Sequence, residues 1–286
     1  MATPRSNRSV SHAGGLARWV GAALAVGATA LVMTFGGLAA LAATTMNLGT
    51  ASSFAVLAAT TVTNTGSSTI SGDVGVDPGS AVTGSPLVEP PYTTFTADSV
   101  ALGAQTDLTT AYDQAAGEGP ATTETADLTG LTLAPGVYQT TSDGALTLTG
   151  TLTLNAQGNA SAVFIFQTGS SLITGTSSTV VLTNGASACN VFWQVGSTAV
   201  LDGPAFVGTV MASTSITLGS GVTVAGRVLA QTGDVTLISD TINASACINN
   251  ASLPTLPAAA TATTPVSGAG GRPPWSGVES WRPWGA

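Results

Sequence analysis

The chain has 286 residues, enough for one large all-β domain with its own hydrophobic core. Only 7% of its residues are charged, it contains no lysine, and its formal net charge is -8 at pH 7. Such a surface repels phosphate backbones, so the composition argues against a nucleic acid as the partner. Val, Leu and Ile recur at strand spacing among the many Thr, Ser, Ala and Gly residues, which distinguishes the chain from a disordered one.

The first 42 residues have the pattern of an export signal. Arg5, Arg8 and Arg18 precede an apolar stretch over 19–40, and Ala40-Leu41-Ala42 fits the small-x-small rule for cleavage. We therefore expect a cleaved signal peptide and a secreted, extracellular protein. The alternative is an uncleaved membrane anchor with association to the cell envelope, because the apolar stretch approaches the roughly 20 residues that span a bilayer.

Short β-strands are predicted directly after the signal. The segments 54–57 and 61–63 are rich in strand-forming residues, and 70–76 is predicted as one further strand that stops at Asp77-Pro78-Gly79. The segment 82–94 contains three prolines, which predicts a loop or a small cap.

The spacing of apolar residues changes to a helical period over 97–116. Thr96 or Asp98 is placed to cap the N-terminus of this helix, and Gly117 to end it. We expect one long helix, packed against the rest of the domain through an apolar stripe. The stripe consists of Leu102, Leu108, Tyr112 and Ala115, with Val100 and Ala101 beside it.

From Leu131 onward the sequence returns to strands, and these repeat. The segments 146–149 and 151–154 alternate with period two, which predicts one buried and one exposed face. Self-similar segments usually stack, so we expect a solenoid in which equivalent residues form rows. The four longer segments that align with one another start roughly 18 to 28 residues apart and cover 162–167, 190–194, 208–212 and 226–231.

Two cysteines and a change in composition mark the C-terminal part of the chain. Cys189 and Cys247 are an even count in an oxidising compartment, which favours a disulfide bond; two buried thiols are the alternative. Pro, Ala, Gly and Thr dominate the tail over 251–286, so we predict that it is disordered. Its three tryptophans, Trp275, Trp281 and Trp284, have no explanation in the sequence.

A local threonine pattern recurs along the chain. It reads Thr60-Thr-Val-Thr63, then Thr214-Ser-Ile-Thr217, then Thr232-Gly-Asp-Val-Thr236. In stacked coils these segments would form rows of methyl and hydroxyl groups without charge. The alternative is that threonine simply fills exposed strand positions, for which its propensity is high.

Several longer blocks resemble the secreted microbial ice-binding proteins of the DUF3494 type. They follow the family's order over about 48–242, within a predicted domain of 47–250. The resemblance implies an all-β fold with one long helix: a right-handed, discontinuous β-solenoid (β-helix) of triangular section, with the α-helix packed alongside and the N-terminal coil stacked on the C-terminal ones. The blocks are Leu48-Gly-Thr-Ala-Ser-Ser-Phe-Ala-Val-Leu57, Ile70-Ser-Gly-Asp-Val-Gly-Val76, Leu133-Ala-Pro-Gly-Val-Tyr138, Asn190-Val-Phe-Trp-Gln-Val195 and Gly226-Arg-Val-Leu-Ala-Gln231.

The resemblance also implies an ice-binding face with the pattern Thr-(Ala/Gly)-x-(Thr/Asn). The segments 60–63 and 214–217 match it with a different second residue, and 232–236 has one extra residue, which a β-bulge would accommodate. Gly144-Ala-Leu-Thr147 keeps only the second threonine, while 169–173 and 196–200 place aliphatic residues there. The predicted ice-binding residues are Thr60, Thr61, Thr63, Thr147, Thr214, Ser215, Thr217, Thr232 and Thr236.

Two other classes of function were weighed against ice binding. An enzyme needs converging carboxylates or a base with a metal, yet His12 is the only histidine and lies in the signal, and the acids are scattered. Asp202 and Asp234 could be neighbours on adjacent coils, but no base or metal partner accompanies them. We predict no catalytic residue, metal ligand, cofactor or small-molecule substrate, and a monomer whose partner is the ice surface. A cell-surface adhesin or structural module remains the alternative.

Overall fold

A computed structural model describes residues 43–124, 126–140 and 144–248. The predicted signal peptide, the C-terminal tail and its tryptophans lie outside these residues. In the part of the chain that is described, no helix is both long and apolar enough to cross a membrane.

Most of the described chain forms short parallel strands, numbered here in chain order, which stack into three faces. The helix face contains β1 (Phe54–Ala58), β4 (Asp73–Val76), β7 (Thr94–Thr96), β8 (Thr122–Glu124), β10 (Gly136–Thr140), β13 (Phe164–Thr168), β16 (Val191–Val195) and the second halves of β18 (Ala205–Ala212) and β20 (Thr223–Ala230). The seven-stranded face contains β2 (Thr61–Thr65), β5 (Ala81–Thr83), β11 (Leu146–Leu148), β14 (Leu172–Thr174), β17 (Ala199–Leu201), β19 (Ile216–Ser220) and β21 (Val235–Ile238). The third face contains β3 (Thr69–Ser71), β6 (Leu87–Val88), β9 (Thr132–Leu133), β12 (Thr151–Asn155), β15 (Thr179–Thr183), β22 (Thr241–Asn243) and the first halves of β18 and β20.

The coils are not stacked in sequence order. The first coil lies on the last one, because β1 pairs with β20, β2 with β21 and β3 with β22. A further coil of β4 to β7 covers the first, and the helix then returns the chain to the opposite end, where β8 and β9 begin. This discontinuous β-solenoid with one long helix confirms the predicted fold class.

Two predictions about the N-terminal coils were wrong. The segment 82–94 was expected to be a loop or small cap, but β5, β6 and β7 add a coil there. The segment 70–76 was expected to be one strand, but it divides at Gly72 into β3 and β4. Gly72 has φ 153, and a Cβ at this position would lie 2.5 Å from that of Ala55, so only glycine fits the corner where the chain turns from one face to the next.

The long helix, α1 (Ser99–Gly117), packs on the helix face. Its N-cap is Asp98, whose carboxylate accepts hydrogen bonds from the amides of Val100 and Ala101 at 3.0 and 2.8 Å. The buried side of the helix carries Ala101, Ala104, Leu108, Ala111 and Ala115. The last four share a core cluster with the sheet residues Phe54, Leu57, Ile165, Phe192, Met211 and Leu229.

The predicted packing of α1 was partly wrong. Leu108 is fully buried and Tyr112 is half-buried, but Leu102 is 55% exposed and Val100 is 44% exposed. Leu102 is six positions from Leu108, which at about 100° per residue turns its side chain about 120° away from the sheet. Small Ala101, seven positions from Leu108, takes the place that the larger leucine was expected to fill.

The interior of the solenoid is filled by stacked side chains. The rings of Phe166 and Trp193 stack with centroids 4.1 Å apart, with Tyr138 and Phe206 on either side at 5.5 and 5.0 Å. The indole nitrogen of Trp193 donates to the carbonyl of Val207 at 2.9 Å, so its one polar group is satisfied inside the core. This aromatic stack links neighbouring coils through strands of the helix face and the third face.

A disulfide bond joins Cys189 to Cys247, with the two Cα atoms 5.2 Å apart. It links the 3-10 turn Ala188–Asn190 to the final short helix, α2 (Ser245–Ile248). We expect reduction, or the double change Cys189→Ser/Cys247→Ser, to lower the free energy of unfolding by about 4 kcal/mol in the chain-entropy description of a loop of this length. Differential scanning calorimetry with and without reductant measures this. An unchanged melting temperature would show that the bond adds nothing to stability.

Candidate functional site

The seven-stranded face presents one outward row that crosses every strand. Strand pairing aligns its members side by side in the order Thr83, Thr63, Thr236, Thr217, Val200, Ile173 and Thr147. The residues next to them in sequence, such as Val62, Ile216 and Val235, point inward and are fully buried. Alternation between the core and the exterior therefore fixes which side chains reach the surface.

A second outward row lies two residues before the first. It includes Thr61, Asp234 and Ser215, each directly preceding a residue that the pairing of β2, β21 and β19 aligns. The hydroxyl of Ser215 donates to one oxygen of the Asp234 carboxylate at 2.8 Å, and the hydroxyl of Thr236 donates to the other at 3.2 Å. The carboxylate thus holds a hydroxyl from each row in a fixed orientation.

Three of the predicted threonines lie in the turns that enter this face. Thr60, Thr214 and Thr232 are exposed. The turns touch through Gly233, whose amide donates to the carbonyl of Thr214 at 3.0 Å and whose carbonyl accepts from the amide of Thr60 at 3.1 Å.

The extra residue of the segment 232–236 is accommodated in the turn that precedes β21. The carbonyl of Gly233 accepts from the amides of both Ala59 and Thr60, at 2.9 and 3.1 Å, so two residues of one coil oppose one of the next. After this irregularity Val235 and Thr236 still pair with Ile216 and Thr217. The insertion therefore leaves the outward row of β21 in register.

The nine predicted residues fall into one group of eight and one separate residue. The eight lie on β2, β19, β21 and their entry turns, which are neighbouring strands. Thr147 belongs to the same row but lies three strands from Thr217, beyond Val200 and Ile173. Its hydroxyl donates to the carbonyl of Ala126 at 3.1 Å, so it is less available to solvent.

Sequence reasoning missed Thr83, Ile173 and Val200 as members of the row. Thr83 was hidden because its segment was expected to be a loop, although its outward position follows once β5 pairs with β2. Ile173 is 44% exposed, unusual for a side chain of its size on a soluble surface. The row thus continues across the solenoid as methyl groups where threonine is missing. None of the seven described strands of this face carries a charged residue.

Within the described ranges, titratable groups offer no second kind of site. Asp202 follows β17 and Asp234 precedes β21, which places them at opposite ends of β19, so the expectation that they could be neighbours was wrong. The described residues hold no group of His, Cys, Asp and Glu suited to a metal ion. Burial lowers the pKa of Arg227 to about 10, and its guanidinium, remote from the row, donates to the carbonyl of Ser52 at 2.8 Å.

Comparison with known proteins matches this chain to one family. Residues 56–243 match the family described as Ice-binding-like. The chain is 48% identical over 207 residues to an ice-binding protein of Nostoc sp. (strain HG1), covering 71% of this chain and 76% of that protein. An ice-binding protein of Colwellia sp is 38% identical over 219 residues, with 70% and 83% covered.

A solved structure shares the fold. The crystal structure of an ice binding protein from an Antarctic biological consortium superposes with a TM-score of 0.67 at 39% sequence identity. The alignment covers 70% of this chain and 91% of that one. The aligned part of this chain therefore corresponds to nearly the whole of that protein.

Proposed function

Because this chain belongs to the Ice-binding-like family, we propose that it adsorbs to ice through its seven-stranded face and so inhibits ice growth and recrystallisation. The observation that carries the proposal is the outward row from Thr83 to Thr147, which strand pairing holds in register across the whole face. The relatives are ice-binding proteins rather than enzymes, and the proposed activity requires no catalytic residue, metal or cofactor.

The geometry suits a surface that orders water. Stacked strands lie about 4.8 Å apart and alternate residues of a strand about 6.6 Å apart, so the two rows form a two-dimensional grid. Threonine has a stiff χ1, which fixes its methyl and hydroxyl positions before any contact. The entropy of ordering these groups is therefore lost on folding rather than on adsorption, and this is the advantage of a preorganised surface.

The absence of charge from these strands supports the same function. Charged side chains hold strongly bound hydration shells that adsorption to ice would have to disrupt. The methyl groups of Val200, Ile173 and the threonines leave nearby water free to order. The hydroxyls of Thr63 and Thr217 make no hydrogen bond within the described protein, so they can anchor that water. Asp234 is the exception, and its carboxylate is occupied by two hydroxyls of the face.

Export and a monomeric state are part of the proposal. The export signal expected over the first 42 residues would place the folded domain outside the cell, where ice forms. A monomer suffices because a single chain carries the complete row.

Ice-affinity partitioning of the purified mature protein tests the function. We expect the protein to enter a slowly growing ice ball, whereas albumin stays in the liquid, and to keep ice grains small during annealing. Protein that stays wholly in the liquid and leaves grain growth unchanged would refute ice binding and favour an adhesin or structural module. Partition between culture medium and cell envelope tests the proposed export separately.

A further inference from the structure

The third face carries its own outward row of threonines. Strand pairing aligns Thr151 with Thr179 and Thr179 with Ala205, which in turn pairs with Thr223. The row continues through Thr241 and Thr69 to Leu87 at the end of the face. Five of its seven members are threonines. The row of the seven-stranded face has five threonines among its seven members as well, so the two rows are equal in threonine content.

A parallel row runs two residues further along these strands. Thr132, Thr153 and Val181 occupy it at one end, and Ala225, Asn243 and Ser71 at the other. Between the two rows, Leu152, Phe206, Val224, Ile242 and Ile70 point inward and are buried. The third face is thus a two-row grid at each end, with the same strand spacing as the seven-stranded face, and its second row is interrupted between β15 and β18, which pair only at Thr179 and Ala205.

The threonine hydroxyls of the first row are free, whereas the hydroxyl of Ser71 in the second row donates to the carboxylate of Glu89. Among the described residues, those of Thr151, Thr179 and Thr223 make no hydrogen bond to the protein, and the same holds for Thr241 and Thr69. By contrast, the seven-stranded face uses the hydroxyls of Thr147 and Thr236 internally. The third face therefore offers water more unoccupied hydroxyls along its row than the seven-stranded face does.

The chemistry of the third face limits the kinds of partner that it could bind. The described strand segments that form this face contain no charged residue, although Glu89 directly follows β6 and the whole chain carries a net charge of -8. The outward rows hold no aromatic ring on which a sugar could stack, and their apolar groups are mostly single methyls rather than the large anchors of protein interfaces. A neutral lattice that accepts and donates hydrogen bonds at a regular pitch is the surface that complements it.

We propose that the third face is a second ice-binding surface, so that the protein adsorbs to ice in two orientations. The proposal rests on the proposed function of the seven-stranded face and extends it. Among the described residues, the helix covers only the remaining face, and both threonine grids are open to solvent. Because the two grids are different faces of a triangular solenoid, the molecule would lie in a different orientation on the ice when it binds through each of them. A second orientation should therefore allow the protein to decorate additional ice planes.

Fluorescently labelled protein on a single-crystal ice hemisphere tests this proposal. Thr223 and Thr241 are exposed neighbours on adjacent strands, so Thr223→Tyr/Thr241→Tyr places two bulky rings above the centre of the third face. We expect this variant to lose a subset of the decorated ice planes. The protein concentration needed to inhibit recrystallisation should rise roughly threefold, which is a smaller loss than the tenfold change that corresponds to about 1.4 kcal/mol of adsorption free energy. Thr217→Tyr, on the seven-stranded face, should lose the complementary planes, and the triple variant should decorate none.

Controls separate this proposal from the function on which it rests. Thr110→Tyr, on the exposed side of α1, should decorate ice like the wild type. If wild-type protein decorates no plane, the proposed function itself is wrong. A folded third-face variant with the wild-type pattern and potency would overturn the second surface alone. Should the double variant melt early, Thr223→Lys and Thr241→Lys are tested singly, and wild-type patterns from both would likewise overturn it.

Discussion

Thr217→Tyr should remove most of the ice-recrystallisation inhibition while leaving the fold intact. Thr217 is exposed at the centre of the outward row, between Thr236 and Val200. A tyrosine ring would stand above a plane of methyls and hydroxyls and prevent ice from contacting several neighbouring positions at once. We expect the inhibitory concentration to rise about tenfold or more, equivalent to at least about 1.4 kcal/mol of adsorption free energy.

The stability of this variant separates loss of binding from loss of folding. An exposed substitution away from caps and cores changes the free energy of unfolding by less than about 0.5 kcal/mol. Thr110→Tyr on α1 makes the same chemical change away from both open faces and should keep full activity. If Thr217→Tyr and Thr236→Tyr both stay folded with wild-type inhibition, the seven-stranded face is wrongly assigned. Residual activity of Thr217→Tyr should disappear when Thr223→Tyr/Thr241→Tyr is added.

The sequence could predict the threonine cluster because its signal is local. The segments 60–63, 214–217 and 232–236 carry their own pattern, and the family resemblance places the first coil beside the last. Their assembly depends on pairings between residues far apart in sequence, such as Thr63 with Thr236, which no local pattern contains. The family resemblance therefore predicted how the coils stack, and the local threonine pattern predicted which side chains form the surface.

Residues that join the outward rows only through strand pairing could not be identified from local sequence patterns. Ile173 and Val200 were read as departures from a motif, but in three dimensions they continue its row. The third face was overlooked because Thr69, Thr223 and Thr241 stand alone in sequence and become a row only through stacking. Leu102 shows a different error. The sequence pattern placed this large residue on the buried side of the helix, but the buried side is formed mainly by alanines and Leu102 is exposed.

Gly226→Ala should be among the most destabilising single changes in the solenoid. Gly226 lies where β20 turns from the third face to the helix face, with φ 151, a backbone conformation that L side chains rarely adopt. A Cβ there would lie 1.9 Å from the carbonyl oxygen of Gly208, its partner on β18. The strained backbone costs about 1–3 kcal/mol, and forcing an extra carbon into a packed site costs about 1–3 kcal/mol more.

Two features make this clash hard to relieve. Gly208 cannot retreat freely, because it is itself closely packed: a Cβ added at this glycine would lie 2.6 Å from the carbonyl oxygen of Val191 on the next coil. The following residue, Arg227, is buried and donates to the carbonyl of Ser52 at 2.8 Å, which holds the first coil in place. A shift at the corner would therefore disturb the contact between the first and last coils. We expect Gly226→Ala to lower the free energy of unfolding by about 2–6 kcal/mol in total.

Gly221→Ala is the matched control, because it makes the same substitution five residues earlier. Gly221 also has a positive φ, of 76, but nothing lies within 4 Å of a Cβ built there. It should cost only the left-handed backbone penalty of about 1–2 kcal/mol. Urea unfolding at constant m-value measures both variants, since a change in midpoint alone then reports stability. Equal losses would show that the close approach of Gly208 adds nothing, whereas a larger loss at Gly226 would identify this close approach as a constraint on the corner between the third face and the helix face.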